Sequence, residues 1–182
     1  MSLIRLDIKG ISYSQTQNGA YALILNEVEG TRKLTIVIGA FEAQSIAIAL
    51  EKEIKPPRPL THDLFKSFSD RFDITVKQVI IHKLVDGVFY SSLICERDKI
   101  EEIIDARTSD AIALALRFKA AIFTYEAILE KAGIILSHEK TMDPNPISEN
   151  IISSNLESLH DKDDLVNLSG ISLETLNEML IE

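Results

Sequence analysis

The chain has a single cysteine in 182 residues, Cys95, so no internal disulfide can form. Its neighbours Ser91-Ser92-Leu93-Ile94 read as strand, which makes Cys95 a packed thiol rather than a nucleophile. No apolar run approaches the length that spans a bilayer; the longest, 20–25 and 111–116, are far too short. The N-terminus carries neither a basic leader nor an apolar signal core, so a cytoplasmic protein away from the membrane is expected. A Gly-rich phosphate loop, Cys/His zinc spacing and a Gly-x-Ser-x-Gly elbow are all missing, which removes three large enzyme classes. There is no basic surplus either. Net charge is −9, and residues 138–182 hold −8 of it, leaving 1–137 at −1. Neither part has the charge of a strong non-specific nucleic-acid binder.

What is present is a folding sequence, 46% hydrophobic and long enough for one domain with an appendage. Strand-period alternation over 4–11, then further strands over 20–25 and 33–38, lead into an Ala-rich helix over 40–53, with Phe41, Ile46 and Leu50 as its bulk against a sheet. The prolines of 55–59 end that helix, and Thr61 is positioned to cap the next, over 62–70. Strands follow at 74–81, 88–94 and 99–104, with Asp86-Gly87 as a hairpin turn. Ser109 caps a helix to about 119; a short strand covers 121–123; Thr124 caps a last helix that Gly133 stops. The stripe of Phe65, Phe68 and Phe72 reads as core rather than as a base-stacking platform.

The elements repeat. Ile38-x-Ala40 and Ile46-Ala47-Ile48-Ala49-Leu50 return 66 residues later as Ile104-x-Ala106 and Ile112-Ala113-Leu114-Ala115-Leu116; Thr61-His62-Asp63 returns 63 later as Thr124-Tyr125-Glu126. The expected fold is α+β: two strand-strand-strand-helix-helix units sharing a mixed or antiparallel sheet, related by a rough two-fold axis. Residues 1–137 form this domain, and 138–182 an acidic linker with a helical tail, its last helix capped by Ser172 and stapled by Ile171 and Leu176. That helix reaches Glu182 without a stop signal: it either frays or begins an excision-repair-type helical hairpin.

Two polar clusters carry the chemistry. In Arg58-Pro59-Leu60-Thr61-His62-Asp63-Leu64, His62 lies at a helix start, where the dipole disfavours imidazolium, so the neutral base form is expected. Asp63 suits the same end as a cap or as an acting carboxylate. Arg58, held between two prolines, is preorganised for phosphate or for an ion pair with Asp63, Asp105 or Asp110. In Asp105-Ala106-Arg107-Thr108-Ser109-Asp110, a second arginine and two carboxylates precede the other Ala-rich helix. Glu42, in a first helical turn among small apolar residues, needs a partner if buried. If the clusters share a cleft, Glu42, Asp105 and Asp110 could hold one Mg²⁺ or Mn²⁺ ion, with Arg58, Thr61, Arg107 and Ser109 on a phosphate. The same residues could equally be an ion-pair network fixing the repeats together.

These motifs, with Ile38-Gly39-Ala40-Phe41-Glu42-Ala43 and Asp86-Gly87-Val88-Phe89-Tyr90, resemble the bifunctional nuclease family over about residues 3–133. Thr108 stands where that family usually has proline, and Val37 where an aromatic is common. The resemblance implies an α+β domain that cleaves DNA and RNA, often followed by an excision-repair-type helical segment. The resemblance marks Glu42, Arg58, Thr61, His62, Asp63, Asp105, Arg107, Ser109 and Asp110 as motif positions only; by their own chemistry His62, Asp63, Arg58, Asp110 and Arg107 are the candidate catalytic residues, in a nuclease with DNA or RNA as substrate. The rival expectation is a non-catalytic anion-binding or assembly module. In either case an exposed sheet edge predicts a homodimer, and the tail is available to a protein partner or as an acidic shield over the arginines.

Overall fold

The computed structural model describes residues 2–14, 19–51, 54 and 56–135. The linker, tail helix and excision-repair likeness expected beyond 137 lie outside the described residues, as does most of the Gln15–Gly19 turn.

Alternating sequence produces the strands. Three open the chain: β1 (Leu3–Tyr13), β2 (Ala20–Glu27) and β3 (Arg32–Gly39). In β3, Leu34, Ile36 and Ile38 are buried while their neighbours are not, the period of two that one-sided burial requires. Then come α1 (Ala40–Leu50) and α2 (Thr61–Arg71). The second half supplies β4 (Thr75–Val85), β5 (Val88–Arg97), β6 (Ile100–Arg107), α3 (Thr108–Phe118), β7 (Ala121–Tyr125), α4 (Glu126–Ala132) and β8 (Gly133–Ile135). Asp86 and Gly87 both have positive φ, 50° and 78°, the two-residue hairpin loop that their sequence predicts.

All eight strands form one sheet in the order β6-β5-β4-β7-β1-β2-β3-β8. β7 runs parallel to β4 and antiparallel to β1, so β4 and β1 are antiparallel to each other. A two-fold axis through β7 therefore exchanges β4, β5 and β6 with β1, β2 and β3, reversing each strand. That is the topology expected of a duplicated unit, and the fold is α+β. α1 and α3, the equivalent helices, pack against each other. Ala43 and Ala47 of one and Ala111 and Ala115 of the other are buried, and small side chains permit this close approach. Ile46 and Ile112 carry the bulk into one core shared with Leu23, Leu25, Val79 and Ile81. Each such aliphatic side chain contributes about 1.5–3 kcal/mol on burial.

Several local expectations change. Phe41 does not pack on the sheet; it is 83% exposed, because the core side of α1 is filled by Ala43, Ile46 and Ala47. α2 packs on α3 rather than on the sheet, so Phe65, Phe68 and Phe72 stay exposed and only Ser69 of this helix is buried. Thr61 is not the cap of α2 but its first residue; the Leu60 N–H donates to Asp63 Oδ2 at 2.9 Å. Ser109 is likewise inside α3, which starts at Thr108. Thr124 lies in β7, fully buried, with its hydroxyl donating to Ile81 O at 3.0 Å. A β-branched residue fits a central strand better than a cap here. α1 stops at Leu50, short of 53. Among the described residues no helix is long and apolar enough to cross a membrane.

Candidate active site

The two polar stretches meet. A cleft of about 850 Å³ is lined by Glu42, Gln44 and Ser45 of α1, Leu60 before α2, Thr61 and His62 of α2, Asp105, Ala106 and Arg107 of β6, and Asp110 of α3, with an apolar wall of Phe41, Phe65, Leu93, Ile104 and Leu114.

His62 forms part of its wall. The Leu60–Asp63 bond fixes the first turn of α2 and so the direction in which His62 projects. Its Nε2 lies 3.1 Å from Asp110 Oδ1, and its Nδ1 lies 2.8 Å from Ser45 Oγ. Burial raises the Asp110 carboxyl, but hydrogen bonds from Arg107 and His62 outweigh it and hold the group below the usual aspartate range. An ionised carboxylate only accepts, so Nε2 carries the ring proton and donates it. In neutral His62, Nδ1 is then the free lone pair, and it faces the Ser45 hydroxyl.

Arg107 closes the chain of contacts. Its Nε donates to Asp110 Oδ2 at 2.7 Å, and its Nη2 lies 2.9 Å from Glu42 Oε1 and 3.1 Å from Asp110 Oδ1. The guanidinium side chain is still 69% exposed. A face of a cation that is both anchored and open suits an incoming anion. Gly39 helps here: a Cβ on it would stand 2.5 Å from Glu42 Oε2, so the glycine leaves room for Glu42 to fold back over the start of its helix.

Not every expected residue joins. Asp63 pairs with Arg117 of α3, Nε to Oδ1 at 2.5 Å, and ties α2 to α3 rather than lining the cleft. Arg58 is exposed, outside the lining, and makes no ion pair among the described residues. Ser109 is half-buried in α3 and does not line the cleft. Asp105 reaches the rim from the edge strand.

Glu42 and Asp110, two of the three carboxylates expected on a cation, both serve Arg107. Among the described residues no three His, Cys, Asp or Glu side chains converge as a metal site. The donor set fits a guanidinium better than a divalent ion, because an incoming ion would have to displace Arg107 from both acids.

Sequence reasoning overlooked Ser45 and Arg117. Arg117 had a readable signal: a charge in an otherwise apolar helical stripe demands a buried partner. Its side chain is 7% exposed. Ser45 had only a weak one, a lone hydroxyl within Ala43-Gln44-Ser45-Ile46-Ala47.

Against known proteins, residues 23–137 match the model of the bifunctional nuclease domain. The chain is 42% identical over 133 residues to the uncharacterized protein Rv1829 of Mycobacterium tuberculosis, covering 72% of this chain and 77% of that one. It is 28% identical over 137 residues to bifunctional nuclease 1 of rice, Oryza sativa subsp. japonica, covering 74% of this chain and 40% of that one. The match runs from within β2 to just past β8 and includes every side chain of the cleft. This chain belongs to the bifunctional nuclease domain family.

Proposed function

We propose that the cleft hydrolyses phosphodiester bonds in DNA, RNA or both. One observation carries the reading: His62, Asp110 and Arg107, from two stretches far apart in sequence, form a continuous hydrogen-bonded unit in one cleft. In this reading His62 is the acid–base group, Asp110 orients its ring and balances the imidazolium that forms, and Arg107 receives the phosphate and the charge that develops on it. Thr61 lines the approach, and Arg58, just outside, meets the strand as it arrives. Asp63 acts through Arg117 by holding α2 in place. Arg107 supplies the positive charge that Mg²⁺ or Mn²⁺ would otherwise bring.

The test is cleavage of single-stranded DNA and RNA by the unmodified protein, His62→Ala and Asp110→Ala, each with a chelator and with Mg²⁺ or Mn²⁺. Either substitution should slow cleavage by ~100-fold or more, and the chelator should leave the unmodified rate in place. Full activity in both variants would sink the assignment. A loss with chelator, matched by a rise in melting temperature with the ion, would return Glu42, Asp105 and Asp110 to the role of ligands.

A non-catalytic anion-binding module draws support from the double pairing of Arg107, which a purely structural network would also show. It predicts oligonucleotide or phosphate binding without turnover. Self-association belongs to the same proposal: β6 is an edge strand with Ile100, Ile103 and Ile104 exposed beside the cleft, and a second copy is its proposed cover. Sedimentation of the unmodified protein against Ile103→Glu measures this; a monomer in both rejects it.

A further inference from the structure

The cleft contains a hydroxyl that the reading above leaves unused. Ser45 lies in the middle of α1, 4% exposed, yet it is part of the cleft wall. Its Oγ is 2.8 Å from His62 Nδ1. On the far side of the ring, Nε2 is 3.1 Å from Asp110 Oδ1. Because the ionised Asp110 accepts a hydrogen bond from Nε2–H, Nδ1 is the basic nitrogen of the neutral ring, and Ser45 stands in front of it. Both ring nitrogens thus have protein partners. Water cannot be deprotonated by His62 directly unless it first displaces Ser45 or Asp110.

A hydroxyl within hydrogen-bond reach of a histidine that a carboxylate orients is the arrangement by which serine is activated for attack. The ring is turned relative to the serine protease pattern, where the acid sits on Nδ1 and the serine on Nε2. The proton path is unaffected, since imidazole accepts at one nitrogen while donating at the other. The serine is also held rigidly: its main-chain oxygen lies 3.4 Å from Arg117 Nη1 and Nη2, so α1, α2 and α3 all fix its place. Arg107, which shares Asp110 with His62, presents its open face to the same space.

We infer that Ser45 is the nucleophile of this cleft and that cleavage passes through a phosphodiester ester of Ser45. The inference rests on the phosphodiesterase reading above. In the first step the Ser45 Oγ–P bond forms as the bond from phosphorus to the leaving nucleoside oxygen breaks. The serine proton passes to His62 Nδ1 and then to that oxygen, which departs as a free hydroxyl. In the second step water attacks phosphorus, gives its proton to Nδ1, and the Oγ–P bond breaks. Ser45 recovers its proton from His62, and one water has been consumed per bond cut. The deoxyribose substrate has no 2′-hydroxyl, so on DNA no sugar hydroxyl next to the scissile phosphate can attack in the serine's place.

The deciding experiment uses the unmodified full chain and DNA with a single phosphorothioate of known configuration, hydrolysed in ¹⁸O-labelled water. Two displacements at phosphorus give net retention, and one displacement by water gives inversion. Retention is the expected result; inversion overturns the inference while leaving the phosphodiesterase reading intact. Absence of any cleavage by the unmodified protein overturns both. Alongside it, Ser45→Ala should lose activity on the order of 1000-fold with an unchanged circular dichroism spectrum. A folded Ser45→Ala protein within ten-fold of the unmodified rate, beside an inactive His62→Ala, would reject the nucleophile and keep the base.

Discussion

At the scale of single residues, the least exposed side chain among the described ion pairs is the most informative. Arg117 is almost wholly buried, and its guanidinium reaches Asp63, the Ser45 carbonyl and the Ala113 carbonyl. Arg117→Met should cost about 1.5–3 kcal/mol, because the partly exposed Asp63 and the Ser45 and Ala113 carbonyls lose a charged donor; urea unfolding measures it, and no measurable loss would place the stability elsewhere. Thr108 is the second case. Its hydroxyl donates to Phe89 O at 3.0 Å and lies 2.7 Å from the buried Ser91 Oγ. A proline, the usual family residue here, could not satisfy those groups, so Thr108 and Ser91 compensate each other. Thr108→Val should destabilise by about 1–3 kcal/mol, and the double variant with Ser91→Ala should recover part of that loss.

Of the residues in the cleft, the sequence marks those whose chemistry is unusual for their place, such as a histidine at a helix start. Ser45 escapes notice and Phe41 is assigned to the core, because a serine or phenylalanine in a helix has an ordinary explanation, and only packing shows which way each points.

Elements come next. α2 and α4 lie at the margins: α2 buries only Ser69 and is tied to α3 by the Asp63–Arg117 pair, whereas α4 seats Ile128 and Leu129 in the core and adds an ion pair at its start. Arg32 of β3 donates to both Glu27 of β2, at 2.6 and 2.8 Å, and Glu126 at the start of α4. Hydrogen bonds from Arg32 hold both glutamate carboxyls below their usual range. A carboxylate whose folded value is depressed contributes stability above its unfolded value and loses it as pH falls through the folded one. Asp110, lowered from 3.8, adds to the same limb. Stability should therefore decline on acidification from about pH 5 downward, and Arg32→Met should flatten that decline relative to the unmodified protein. Parallel acid limbs in the two proteins would show that these pairs contribute nothing.

α3 ends at Lys119, which sits in the left-handed region at φ 55°. Lys119→Gly removes the steric conflict of a side chain there and should raise stability by about 1 kcal/mol, read as a higher melting temperature. β3 is readable because its alternation is kept, whereas β2 and β6, with continuous apolar or exposed runs, are legible only from their β-branched and apolar residues between turns. Helix starts were off by one or two residues, at Thr61, Ser109 and Thr124, because threonine and serine suit a cap, a first turn and, in the case of threonine, a strand almost equally well. β8 gave no signal, since three residues cannot display a period.

For the whole molecule, duplication explains why the cleft exists. The two-fold exchange of the meanders brings the equivalent helices α1 and α3 together, and their N-terminal ends meet at the edge where β6 delivers Arg107. Glu42 and Arg107 pair across that junction. The 66-residue repeat made the pairing of the halves legible. It could not show that α2 would swing onto α3 and bring His62 with it, because the proline-rich segment before α2 sets no direction on its own. The −8 charge of residues 138–182 acts at this scale too. If the tail shields the arginines, removing it after Ser137 should tighten oligonucleotide binding; equal affinity rejects that role.

The account stands on two distant stretches acting as one unit. A cycle of His62→Ala, Asp110→Ala and the double variant, assayed for cleavage of single-stranded DNA, measures that coupling. The double variant should be no slower than the slower single one, as groups serving one proton path behave. Losses that multiply, as for independent sites, would contradict it.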